Sequence, residues 1–141
     1  MILYGNSLKL IEKMKSNKFD KIKKTHKLVV CFDTPIFNHF DDGVIGGGGM
    51  WGEKSKYDFY RNIIYLAKEY PKIYFVFKPK SRESSDGVEE LFFKNIESES
   101  CEIKNFEIIK NLKKYNSYKL VSKADLVIGS YTTIIVECFA A

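Results

Sequence analysis

With 141 residues, the chain can form one domain with its own core, and its 45% hydrophobic and 15% aromatic content is that of a globular protein, not a disordered one. No apolar stretch reaches the roughly 18 residues that cross a bilayer, and the N-terminus MILYGNSLKLIEKMKS is too charged for a signal peptide. A soluble cytoplasmic protein is therefore expected. Its net charge of +5 would suit phosphorylated ligands.

From the N-terminus, Leu8, Ile11 and Met14 recur at helical spacing, which predicts a short amphipathic helix over 7–16. A run of lysines, from Lys9 to Lys27, surrounds it. These lysines alternate with Glu12 and Asp20, and no aromatic stacking platform accompanies them. That favours a solvated face over contact with an anionic membrane surface or nucleic acid. Residues 1–26 thus read as a helix and a basic linker.

KLVVCFD, Lys27 to Asp33, is a continuous apolar run suited to a strand buried on both faces. A long loop follows, from Thr34 to Lys56, with four consecutive glycines at Gly46 to Gly49. Such a run holds no regular element without a large entropic cost. Tyr57 to Tyr70 predicts a helix with Phe59, Ile63, Leu66, Ala67 and Tyr70 on one face. IYFVF, Ile73 to Phe77, reads as a second strand, ending at Lys78-Pro79-Lys80. A helix is expected over Gly87–Glu97 (Val88, Leu91, Phe92 and Ile96 inward), then a strand over Phe106–Ile109 and a small helix over Tyr115–Lys123. A strand over Leu126–Ile128 and a helix from Thr133 to Ala141 complete the pattern.

The three cysteines, Cys31, Cys101 and Cys138, are odd in number and far apart, so no disulfide framework is expected. Neither the cysteines nor His26 and His39 make a zinc pattern. Asp41-Asp42 lacks a third ligand at a recognisable spacing, so no metal is expected.

Alternating strands and helices mean a three-layer α/β/α, Rossmann-like domain over residues 27–141 with a mostly parallel sheet. The simplest strand order is 3-2-1-4. In such sheets ligands bind beyond the carboxyl ends of the strands, where the order changes direction. That rule should bring three features to one crevice: the glycine-rich loop, the lysines after the second strand, and Gly129-Ser130-Tyr131-Thr132-Thr133. The last of these feeds a helix N-terminus, whose free N–H groups and dipole suit phosphate. Glu137 shares a helix face with Thr133 and could accept hydrogen bonds from ribose hydroxyls. Plainer readings stand beside these. Ser130 and Thr132 also fit a simple helix cap, Glu137 a solvent-facing position, and Lys78 and Lys80 an ordinary strand end. GVIGGGGMWG matches neither dinucleotide nor P-loop spacing and fits a plain crossover equally well.

The stretch KADLVIGSYTTIIVECFAA resembles the C-terminal, donor-binding domain of GT-B glycosyltransferases that build bacterial capsule and surface polysaccharides. IYFVFKPK is similar to that family's strand ending in a basic K-P motif, and the likeness in element order runs from the glycine-rich loop onward. Similar segments occur in non-hydrolysing UDP-GlcNAc 2-epimerases and in glycerophosphotransferases of teichoic-acid synthesis.

The resemblance implies a nucleoside diphosphate-sugar as donor substrate, with no other cofactor and no metal. Ser130, Thr132 and Thr133, after Gly129, would meet the diphosphate, Glu137 the ribose, and Lys78 or Lys80 a phosphate. A glycan or lipid-linked acceptor would belong to a second, N-terminal domain, which this element order lacks. The chain is therefore expected to be a fragment of a GT-B half, inactive alone. It would work in the cytoplasm or at the inner face of the membrane, with no nucleic-acid partner. No residue is assigned a catalytic role. A sugar epimerase or polyol-phosphate transferase of the same fold, or a non-catalytic nucleotide-binding module, are the alternatives.

Overall fold

The computed structural model describes residues 18–33, 53–79, 87–109, 116–129 and 134. The elements in chain order are α1 (Lys18–Ile22), β1 (Lys27–Phe32), α2 (Glu53–Glu69), β2 (Ile73–Lys78), α3 (Gly87–Ser100), β3 (Phe106–Ile108), α4 (Ser117–Val121) and β4 (Leu126–Gly129). The four strands form one parallel sheet in the order β3-β2-β1-β4. The expected Rossmann-like α/β architecture and strand order are thus the observed ones. The predicted helix over 7–16 and the glycine-rich stretch lie outside the described residues.

Period-2 alternation sorts the strand side chains onto two faces. Val29 and Cys31 of β1 and Phe75 and Phe77 of β2 meet Tyr60, Ile63, Ile64 and Ala67 of α2 and Phe92 and Ile96 of α3. Leu28, Val30 and Phe32 of β1 and Val76 of β2 meet Phe19 of α1, Leu120 of α4 and Ile134. Steps from β1 to β2 to β3 therefore carry their helices on one face. The return from β3 to β4 carries α4 on the other, as crossovers of a single hand require when direction reverses. The reversal leaves β1 and β4 side by side, with α2 packed on the first face and Ile134 on the second.

The first face has an aromatic centre. Tyr60 stacks on Phe77, with ring centroids 3.9 Å apart and planes within 16°. It meets Phe92 edge-on at 5.2 Å. Cys31 is fully buried beneath this layer, and burial pushes its thiol pKa up. Cys101, just past α3, is exposed.

Two helices are rotated relative to the sequence expectation. In α2 the buried stripe is Lys56, Tyr60, Ile63, Ile64 and Ala67, while Phe59 and Leu66 flank it and Tyr70 lies beyond the helix end, 53% exposed. In α3, Leu91 is 61% exposed and Phe92, Ile96 and Ser100 point inward. The stretch read as a basic linker contains α1, whose Phe19 is fully buried against the second face.

The amino ends of the strands are held by polar contacts. Asn105, before β3, donates its side-chain amide to the carbonyls of Ala67 (2.7 Å), Tyr70 (3.2 Å) and Ile73 (2.8 Å), tying the end of α2 to the start of β2. The Asp125 carboxylate accepts the Leu28 N–H at 2.8 Å, with Lys23 Nζ and Lys27 Nζ at 3.4 and 3.7 Å. Lys123 pairs with Asp20 of α1 at 2.6 Å. No helix among the described residues is long and apolar enough to cross a membrane.

Candidate functional site

The carboxyl ends of β2, β1 and β4 finish together. In the last rung Phe32 is paired with Lys78 on one side and Gly129 on the other. Phe32 packs into the α1–α4 face. Residues on one rung of a parallel sheet point the same way, so Lys78 and Gly129 share that face. It is also the face against which Ile134 is buried, shortly after β4. Lys78 is half-buried, and desolvation pulls its ammonium pKa below the ordinary lysine value. Gly129 has no side chain, so none stands beside Phe32 on that side of the rung.

One residue further along β1 the opposite face carries a buried charge pair. The Asp33 N–H donates to the Lys78 carbonyl at 3.2 Å, extending the ladder past the last rung. Its carboxylate Oδ2 lies 3.0 Å from Lys56 Nζ, and the two side chains are only 4% and 2% exposed. Lys56 stands in the first turn of α2, with Nζ 5.1 Å and 5.3 Å from the centroids of the Phe92 and Phe93 rings. A lysine there is opposed by the positive end of the helix dipole, whereas a carboxylate is favoured. Asp33 offsets both the dipole and the desolvation of the ammonium, and the ring faces add a cation–π contribution.

Of the residues predicted from sequence, the fold brings Lys78 and Gly129 to either side of one residue, at the point where the strand order reverses. Lys80, Ser130, Thr132, Thr133 and Glu137 lie outside the described residues, as do Asp41 and Asp42. Among the described residues no group of three or more His, Cys, Asp or Glu could hold a metal ion. A separate depression of about 560 Å³ runs along the outer side of α2, from Asp58 to Lys68, with Glu99 of α3 at its wall. It lies away from the strand ends and mixes charges of both signs.

Asp33 and Lys56 were not singled out in the sequence. The signal was present: Lys56 precedes Tyr60 and Ile63 at helical spacing, so it falls in line with the apolar stripe. A lysine in a buried stripe demands a partner, and Asp33 closes an otherwise apolar strand. The chain matches no family model, no curated protein and no solved structure.

Proposed function

We propose that the carboxyl edge of this sheet binds the diphosphate of a nucleotide-sugar, and that the chain is the donor-binding part of a glycosyltransferase of surface-polysaccharide assembly. The observation that carries the reading is the last rung, Lys78–Phe32–Gly129, at the switch point of a parallel sheet. Lys78 supplies a partly desolvated cation there, where its attraction for phosphate is stronger than in open water. Gly129 leads in sequence to Ser130, Thr132 and Thr133. Their hydroxyls, and the N–H groups of the helix that the sequence predicts after them, would donate to the phosphoryl oxygens. Glu137, four residues after Thr133 in the helix that the sequence predicts, would accept from the ribose hydroxyls.

In this reading catalysis comes mainly from stabilising the departing diphosphate at the helix N-terminus and the lysine. No metal is needed for that. The glycan or lipid-linked acceptor is held by another domain. Epimerases and polyol-phosphate transferases that share the sequence likeness would use the same diphosphate crevice.

Calorimetry with UDP, CDP and GDP tests the reading. One of the three is expected to bind. Lys78→Met is expected to weaken that nucleotide about tenfold, the loss of one charge-assisted contact. Glu137→Ala is expected to weaken it without altering the circular-dichroism spectrum. Absence of heat with all three nucleotides would overturn the donor site, and native affinity in Glu137→Ala would remove the ribose role.

A further inference from the structure

The Asp33–Lys56 pair is hard to explain as a device for stability alone. Taking two charges out of water costs several kcal/mol per ion, and apolar side chains of similar volume often serve as well or better. Its surroundings would accept them: Tyr60, Phe77, Phe92 and Phe93 form an aromatic cluster around the first turn of α2. The pair also has a particular address. Asp33 is the residue whose N–H binds the carbonyl of Lys78, and Lys56 belongs to the helix that follows β1. One charge pair therefore fixes the end of β1, the start of α2 and, through a single backbone bond, the residue that presents the ammonium to the crevice.

We propose that Asp33 and Lys56 are positioning residues for the diphosphate crevice: their buried ion pair locks the end of β1, and so holds Lys78 and Gly129 at the separation that two phosphoryl groups need. This deepens the diphosphate reading and rests on it. The pair acts from the face of the sheet opposite Lys78, so neither side chain touches the ligand. Its effect passes through the Asp33–Lys78 backbone bond and through the rung beside it. A charge pair suits the task better than an apolar contact. Its hydrogen-bonded geometry admits one arrangement, whereas apolar side chains slide and repack.

The test separates bracing from positioning. In the double variant Asp33→Leu/Lys56→Met both charges of the pair are gone, and the protein is expected to melt near the native temperature. Its affinity for inorganic pyrophosphate and for whichever of UDP, CDP and GDP the native protein binds, measured by calorimetry, is expected to fall about tenfold, the cost of a small misplacement of binding groups. A folded double variant that binds both probes as tightly as the native protein would overturn the inference. If the double variant does not fold, Lys56→Arg takes its place. It keeps the charge but changes the reach and shape of the partner, and is expected to lose affinity by about threefold or more. Native affinity in folded Lys56→Arg would likewise overturn the inference. If the native protein takes up neither pyrophosphate nor any of UDP, CDP and GDP, the diphosphate reading itself falls, and the positioning role with it. If the native protein binds and the folded variants bind equally well, only the positioning role falls.

Discussion

The two ends of the sheet use charge in opposite ways. At the amino end, Asp125, Asp20, Lys23, Lys27 and Lys123 form solvent-facing pairs at 2.6–3.7 Å, with side chains 28–77% exposed. At the carboxyl end, Asp33 and Lys56 form a pair from which water is nearly excluded. The same two residue types therefore do different work. Exposed pairs are screened, geometrically loose and individually weak, so they can link α1, α4 and the strand ends without dictating one arrangement. A buried pair is unforgiving, because removing one partner strips the other of a nearby counter-charge where water is excluded. It belongs where position matters more than net stability.

The strongest way to break this contrast is to remove one buried partner. Asp33→Asn removes the carboxylate 3.0 Å from the buried Lys56 ammonium and is expected to lower stability by about 3 kcal/mol or more in urea unfolding. A loss below about 1 kcal/mol would mean that the carboxyl-end pair behaves like a surface pair. Next in size is Asn105→Ala at the amino end. The carbonyls of Ala67, Tyr70 and Ile73 lose their shared donor, and about 2 kcal/mol should be lost. That result would sharpen the contrast, since it shows the amino end relying on a neutral buried group and not on its ion pairs. The smallest effect belongs to the exposed pairs. Lys123→Ala is expected to change stability by less than about 1 kcal/mol, and less again in high salt.

Asp125 adds a pH signature to that end. The Leu28 N–H, and to a lesser degree Lys23 and Lys27, hold its carboxyl below the ordinary aspartate value against an opposing effect of burial. A carboxyl with a depressed folded pKa stabilises the protein above its unfolded pKa. The contribution disappears as pH falls from the ordinary aspartate range through the lower folded value. The stability difference between the native protein and Asp125→Asn should therefore be constant near neutrality and shrink on that acid limb. A difference that grew with falling pH would reverse the assignment.

The sheet was legible in the sequence because its strands are short, apolar and separated by helical spacing. β1, buried on both faces, is an unbroken apolar run; alternation implies a parallel sheet, and the order 3-2-1-4, its simplest arrangement, is the one observed. Helix faces were less legible. In α2 the apolar residues surround much of the helix, so two stripes fit the spacing; packing against Phe77 chose the one through Tyr60. α1 was missed because one phenylalanine, Phe19, among lysines carries no periodic signal, yet it fills the second face. On the site side, the placement of Lys78 and Gly129 at neighbouring strand ends could be read from the strand ends and the topology. The Asp33–Lys56 pair could not, since pairing across the stretch from 33 to 56 depends on where a helix start settles, and local pattern does not encode that.

Cys31 gives the fold a built-in clock. A thiol wrapped inside the central strand and kept protonated by its surroundings cannot meet an alkylating reagent until the strands beside it part, whereas Cys101 stands open to reagent in the folded chain. The Cys31 peptide should therefore gain label at the rate at which the sheet opens, and the Cys101 peptide at the rate of an ordinary free thiol. Read side by side by mass spectrometry, the two would time the opening of the sheet in unmodified protein under native conditions.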